Sequence, residues 1–285
     1  MIMSLVKTKD ILKHATENRY GVAAINVINF ETIKYAIKAA EMERVPIIIQ
    51  FFPGFDTHIP VSHVAWIAKD LAKKATVPVG VHLDHSAGFD IALNGIKGGF
   101  PSVMVDGSSL PYEENVQLTK EVVKAAQVFD VDIEAELGHV GVGANEEDMD
   151  NSDLFTNPDQ AVDFIERTHC DSLAIAVGNA HGAYIKQPNL DFDRIREIRS
   201  KVDIPLVLHG CSGIPDEQMK EAVNLGMSKF NVATEYFNSM YQGILDLTKD
   251  EKTNGISLLM DLEEPMVSFV RSKIRLLNPN KYSIK

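Results

Sequence analysis

The chain has 285 residues, with 28 Lys and Arg against 40 Asp and Glu, for a formal net charge of −12. At 45% hydrophobic and 24% charged it has an ordinary globular composition, enough to bury a full core without staples, and its length suits one or two domains or a single α/β barrel. The acidic balance argues against a nucleic-acid or anionic-membrane partner while leaving room for a local anion pocket. Two cysteines, Cys170 and Cys211, are too few for a disulfide scaffold. No apolar run approaches the roughly 18 residues of a membrane span. Met1 to Lys13 lacks the apolar core and cleavage site of a signal peptide, so the expected compartment is the cytoplasm.

Short β-rich runs recur along the chain at Gly21–Val27, Pro46–Phe52, Pro78–Asp84, Ser102–Gly107, Asp132–Gly138, Ser172–Gly178, Pro205–Gly210 and Lys229–Ala233. Most are near-continuous Val, Ile, Leu and Ala, as in parallel strands buried on both faces. Helical patterns lie between them. Ile33, Ile37 and Ala40 mark a helix over about Glu31–Arg44; Val116, Val123 and Ala126 mark another; and Pro215-Asp216 opens a third with Met219, Ala222 and Val223 inward. Eight strand–helix units predict an α/β fold, a single (β/α)8 TIM barrel domain spanning 1–285. A doubly wound open sheet would want a glycine-rich first turn, and no G-x-G-x-x-G follows Gly21. Leu247–Gly255 is polar and reads as a loop. Met266, Val270, Ile274 and Leu277 then mark an extra C-terminal helix.

In such a barrel, chemistry sits at the C-terminal ends of the strands. The third run ends in His82-Leu83-Asp84-His85 and the fourth reaches Asp106. The fifth carries Glu134 and Glu136. The sixth leads into Asn179-Ala180-His181-Gly182, the seventh ends in His209-Gly210, and the eighth contains Asn231 before Thr234. His85, His181 and His209 thus follow three different strands at one end. Three imidazoles beside an Asp suit a catalytic Zn2+, which takes three protein ligands and keeps one position open. Singly, each would read as a hydrogen-bonded residue at a strand mouth. His82 could support the ligands from behind, His139 is a loop residue without a role, and His14, His58, His63 and His169 read as surface or packing residues. Gly182, Gly210-Cys211-Ser212-Gly213 and Asn231-Val232-Ala233-Thr234 form a second constellation. Glycine-rich turns with hydroxyls after the last strands cradle phosphate in this fold, although tight turns alone also need glycine. Cys211 reads as a small buried thiol behind His209.

These motifs make the chain resemble the class II, zinc-dependent fructose-bisphosphate and tagatose-bisphosphate aldolases from about Ile25 to Leu277. The resemblance is carried by HLDHS at 82–86, SVMVDGSSLPYEENV at 102–116, EAELG at 134–138, DSLAIAVGNAHGAY at 171–184, LVLHGCSGIPDE at 206–217 and KFNVATE at 229–235. It implies that His85, His181 and His209 bind zinc, with Glu136 and Asp106 as carboxylates near the metal and Glu136 tied to an alternative metal position. It implies Asp84 as acid/base for the hydroxyl on the breaking bond, and Asn26 as a substrate contact. Gly182, Gly210, Ser212, Asn231 and Thr234 match the neighbourhood of the first phosphate and a monovalent cation, Na+ or K+. The family's proton-transferring loop residue falls on Glu146, with Glu147 as the alternative in a loop about two residues longer than usual. Partners would be a small sugar phosphate and further copies of the chain in a homodimer or homotetramer, with no nucleic acid and no membrane. The chemistry is coherent: breaking a C–C bond beside a carbonyl leaves an enediolate, whose charge Zn2+ stabilises as a Lewis acid. No run ends in the Lys that a Schiff-base aldolase needs.

Two departures bear on substrate. Family members that hold a second phosphate use a Ser or Thr after the second strand and an Asp-Pro-Arg segment before the last helix. Here those places are Phe52 and Asn254-Gly255-Ile256, and a further basic position falls on Met260. A phenyl ring donates no hydrogen bond and Ile cannot replace a guanidinium. The expected substrate is a ketose 1-phosphate or a ketose 1,6-bisphosphate of the fructose or tagatose type, cleaved to dihydroxyacetone phosphate and an aldehyde; the lost grip points to the monophosphate, unless Arg271, Lys249 or Lys252 supplies the charge. Two other readings compete: a zinc hydrolase, which would want His-x-His on the first strand, and a non-catalytic sugar-phosphate sensor, which would not need Asp84 or the loop Glu.

Overall fold

Eight parallel strands close into a barrel whose hydrogen-bonding order follows the chain. They are β1 (Val22–Asn26), β2 (Ile47–Phe51), β3 (Val79–Ser86), β4 (Ser102–Val105), β5 (Asp132–Leu137), β6 (Ser172–Ile175), β7 (Leu206–Leu208) and β8 (Met227–Val232). The computed structural model describes residues 4–142 and 152–284. An N-terminal helix α1 (Thr8–Asn18) precedes β1. The helices between and after the strands are α2 (Phe30–Glu43), α3 (Val61–Lys74), α4 (Phe89–Gly98), α5 (Tyr112–Phe129), α6 (Pro158–Thr168), α7 (Phe192–Lys201), α8 (Asp216–Asn224) and α9 (Thr234–Leu247). The expected (β/α)8 barrel is therefore present. Two C-terminal helices follow, α10 (Gly255–Asp261) and α11 (Glu263–Leu277), and α11 lies across α2, α8 and α9.

Strand parity decides what each residue packs against. Ala23, Ile25, Ile47, Ile49, Val81, Leu83 and Val103 point outward and join the main apolar core beneath the helices. Their neighbours point into the barrel. At the N-terminal end Val22, Ala24 and Ile48 meet Ile11, Leu12 and Ala15 of α1, which stoppers that end of the barrel. One step up, Asn26 and Gln50 on the same strands, His82 on β3 and Glu134 on β5 turn inward, all buried. The barrel interior thus changes from apolar to polar along its axis.

Local signals explain several boundaries. Asn29 caps α2, accepting from the Thr32 N–H while Thr32 Oγ1 accepts from the Asn29 N–H. Asn254 and Ser257 repeat this box at the start of α10. The segment expected as a loop therefore shrinks to 248–254, and α10 is an addition to the expected architecture. The helix α1 was also absent from the sequence reading.

Candidate active site

β3 carries Asp84 and His85 side by side, and successive residues on a regular strand face opposite ways. Both nevertheless line one cavity. The pairing register of β3 with β4 shifts between Leu83 and Ser86, and His85 takes φ of 26°, a left-handed value costly for a residue with a Cβ. That strained turn swings the imidazole inward, beside Asp84.

The rings of His85 and His209 lie with centroids 4.6 Å apart, as do those of His85 and His181. His85 Nε2 lies 2.8 Å from His209 Nδ1, and His181 Nε2 lies 3.5 Å from the same atom. Each ring's other nitrogen faces an acceptor. His85 Nδ1 donates to Asp106 Oδ2 at 2.9 Å, His209 Nε2 donates to Glu134 Oε1 at 3.0 Å, and His181 donates to the Val140 carbonyl. A carboxylate or carbonyl can only accept, so these partners fix the tautomers. The three remaining nitrogens turn toward one point. Zn–N bonds of about 2.05 Å at tetrahedral angles put ligand nitrogens about 3.4 Å apart, close to what is seen. Imidazoles oriented from behind by carboxylates and a carbonyl are the donor set a divalent metal requires. His85, Asp106 and Glu136 also bring ligand atoms within 4.8 Å of one another, and the buried Glu136 Oε2 has no hydrogen-bond partner.

The electrostatics are mutual. Burial disfavours the His85 imidazolium, but Asp84, Asp106 and Glu136 outweigh it and hold its pKa up at about 9. Burial and the neighbouring His85 push His181 down to about 4, and burial holds His209 well below the ordinary histidine value. Burial, then Asp106, raises Glu136 to about 8. Asp84 resists its own burial because His85 and His209 face it, and sits at about 2.

Three amides grip Asp84. Asn26 Nδ2 donates to Oδ2 at 2.9 Å, Gln50 Nε2 reaches the same oxygen at 3.4 Å, and Asn231 Nδ2 donates to Oδ1 at 3.3 Å. Gln50 also donates to Asn26 Oδ1 at 2.6 Å. Below His209, Glu134 Oε2 pairs with Lys229 Nζ at 2.9 Å, both fully buried. His82 closes this lower layer through Ser102 Oγ at 2.8 Å. Gln50 and Lys229 went unnoticed in the sequence, and Glu134 was seen without a role.

The remaining expected residues meet at the same mouth. Gly182, Gly210, Ser212, Asn231 and Thr234 line the cavity, whose volume is about 570 Å³. Gly210 has φ of 62°, and a Cβ there would come within 2.0 Å of the Ala180 carbonyl oxygen, so only glycine fits. Thr234 opens α9, and Ser212 Oγ accepts from the Glu235 N–H at 3.3 Å. The helix N-terminus and these turns form a neutral N–H and hydroxyl cradle suited to an anion. Glu146 and Glu147 lie outside the described residues. His139 lines the cavity, while His14, His58, His63 and His169 are exposed. Cys170 and Cys211 are free and buried, and the Cys211 thiol donates to the Leu208 carbonyl at 3.1 Å.

Phe52, Phe55 and Phe237 form the opposite wall. Among the described residues no Lys or Arg lines the cavity, and the segment 143–151 contains neither. Arg271 is engaged by Glu43 at 2.6 Å, Lys249 by Asp246 at 2.6 Å, and Lys252 is exposed. Ile256 and Met260 line a separate surface groove with Phe30 and Tyr35. Among the described residues no helix is long and apolar enough to cross a membrane.

Comparison with known proteins identifies the family and the fold. The family described as Fructose-bisphosphate aldolase class-II matches residues 6–281. The crystal structure of the YdjI aldolase from Escherichia coli K12 is 34% identical, with a TM-score of 0.84, covering 96% of this chain and 97% of that one. Fructose-bisphosphate aldolase (Fba) from Campylobacter jejuni shares the fold, with a TM-score of 0.82 at 24% identity, over 97% of this chain and 96% of that one.

Proposed function

The chain belongs to the class II fructose-bisphosphate aldolase family and is a carbon–carbon lyase, and we propose that it reversibly cleaves a ketose 1-phosphate to dihydroxyacetone phosphate and an aldehyde without phosphate. The observation that carries this reading is the convergence of three imidazole nitrogens beside a cavity with one neutral anion cradle and, among the described residues, no lining Lys or Arg. The sugar phosphate is the partner; assembly as a homodimer or homotetramer is part of the same proposal.

His85, His181 and His209 would hold Zn2+, with Glu136 and Asp106 available as further carboxylates. When bound, the ion supplies Lewis-acid stabilisation of the negative charge that develops on the substrate oxygens. The protein's own groups do the rest. Gly182, Gly210, Ser212 and Thr234 bind the phosphate through N–H and hydroxyl groups, with Asn231 and a monovalent cation, Na+ or K+, in the same neighbourhood. Asn26 orients both substrate and Asp84. In cleavage Asp84 takes the proton of the hydroxyl on the aldehyde side, the C–C bond breaks, and its electron pair stays with the ketone half. Glu146 or Glu147 then delivers the proton that completes dihydroxyacetone phosphate. Asp84 suits this task because its amide grip fixes its position and it is ionised, with a free lone pair to accept the proton.

A coupled assay of dihydroxyacetone phosphate release tests the proposal with fructose 1-phosphate and fructose 1,6-bisphosphate. Cleavage that stops with EDTA, returns with Zn2+ and favours the monophosphate is the expected result. Strong preference for the bisphosphate ends the monophosphate reading. Turnover that survives EDTA ends the metal reading.

A further inference from the structure

One wall of the cavity, beside the histidine cluster, is aromatic and continuous. Phe52 follows β2 directly, and the turn Pro53–Phe55 brings Phe55 back against it, edge to face at 5.4 Å and 86°. Gly54 permits this fold, since a Cβ there would lie 2.3 Å from the Phe52 ring. Phe55 meets Phe237 of α9 at 6.0 Å and 80°, and Phe52 reaches the His85 ring at 6.4 Å. Phe52 remains 37% exposed although it lines the cavity. An apolar face turned into a cavity is stabilised by an apolar ligand that covers it. Among the described residues no Lys or Arg lines the cavity. A second phosphate placed on the phenyl rings would find no ammonium or guanidinium partner, and a hydroxyl there would lose its hydrogen bonds.

We propose that Phe52, Phe55 and Phe237 determine which aldehyde is used, selecting a tail that ends in a methyl or short alkyl group over a hydroxylated or phosphorylated one. This rests on the aldolase reading and deepens it by assigning the substrate's far end. In the condensing direction dihydroxyacetone phosphate loses a proton from its hydroxymethyl carbon, that carbon bonds to the aldehyde carbonyl carbon, and the new alkoxide takes a proton. Only the tail of the aldehyde differs between substrates, so kcat/KM ratios isolate the wall's contribution.

The experiment is condensation of dihydroxyacetone phosphate with lactaldehyde, glyceraldehyde and glyceraldehyde 3-phosphate by the metal-loaded enzyme. Lactaldehyde and glyceraldehyde differ only as methyl against hydroxymethyl. The expected kcat/KM favours lactaldehyde by about tenfold or more, in the range that apolar pockets achieve for such differences, and glyceraldehyde 3-phosphate is the poorest. Phe52→Ser and Phe237→Ser each bring the lactaldehyde-to-glyceraldehyde ratio toward one. The wild-type ratio decides the matter even where a variant fails to fold. Condensation that favours glyceraldehyde or its phosphate leaves the aldolase reading standing and overturns the assignment of the aromatic wall. No condensation with any of the three overturns both.

Discussion

Each barrel strand has two faces, and they are built from different chemistry. The outward residues, such as Ile25, Ile47, Ile49 and Leu83, are apolar at every level of the barrel. Some inward residues are apolar, including those where α1 closes the bottom and Met104, Ala174 and Val207 at the level of Glu134 and Glu136. Above the bottom they also include the polar Asn26, Gln50, His82, Asp84, Glu134, Glu136, Lys229 and Asn231, all buried. Buried polar groups are tolerated when they find partners, and here most partners are one another, while Gln50 Oε1, Glu136 Oε2 and Asn231 Oδ1 are left without one. The outer face holds the barrel together. The inner face stores charge, which the helices packed outside make affordable.

The comparison is broken most directly at the ligand cluster. His209→Ala removes one of three converging nitrogens and leaves Glu134 without its imidazole. The expected loss is about 10³-fold or more in kcat, since Lewis-acid stabilisation is worth several kcal/mol. Metal content measured on the purified variant should fall with it. Full activity with undiminished metal would show that the cluster is structural. Asp84→Asn comes next. It keeps one accepting oxygen for either Asn26 or Asn231 but removes the proton acceptor, and kcat should fall about 10²–10⁴-fold while bound metal is retained. Equal loss of metal would recast Asp84 as part of the metal site.

The two faces separate in a pair of variants. Ile49→Ala on the outer face should cost about 2–5 kcal/mol of stability, read by denaturant unfolding, and leave metal affinity unchanged. Glu134→Gln on the inner face strips Lys229 of its counter-charge and His209 of its charged acceptor. Metal affinity should drop about 10–100-fold, measured by competition with a chelator. If Ile49→Ala weakens the metal as much as Glu134→Gln does, the division of labour between faces is wrong.

The same parity explains what the sequence discloses. Outer and inner apolar residues merge into near-continuous runs, so eight strands and the barrel are readable. The ligands are readable too, because His85, His181 and His209 stand where those runs end. The lower polar layer is not. Lys229 and Glu134 are 95 residues apart and look like exposed charges until the barrel closes and pairs them. Gln50 stands alone between Ile49 and Phe51, and its meaning depends on Asn26 and Asp84 across two strand interfaces. The alternation Glu134-x-Glu136 and Lys229-x-Asn231 was the available signal. α1 escaped because Ile11, Leu12 and Ala15 give too short an apolar pattern, and α10 because its Asn254–Ser257 capping box sits in polar text.

The smallest expected effect is also the most specific to the inner face. Without metal, His85 keeps its proton up to about pH 9, against an ordinary value of 6.5. The native state therefore holds a proton that the unfolded chain gives up. That contribution to stability is fully present below pH 6.5 and is lost as pH rises through 9. Glu136, raised to about 8, acts in the same direction between 4.5 and 8. His181, lowered to about 4, opposes them, but only between pH 4 and 6.5. From pH 7 to 9 the metal-free protein should thus lose thermal stability. Bound Zn2+ needs the His85 nitrogen neutral and takes the proton's place, so the loaded protein should lose less over the same interval. Calorimetric titration of Zn2+ at pH 7.5 in buffers of different ionisation enthalpy should then report proton release. An apparent enthalpy independent of the buffer would mean that no proton stands between His85 and His209, and the 2.8 Å contact between their nitrogens would need another cause.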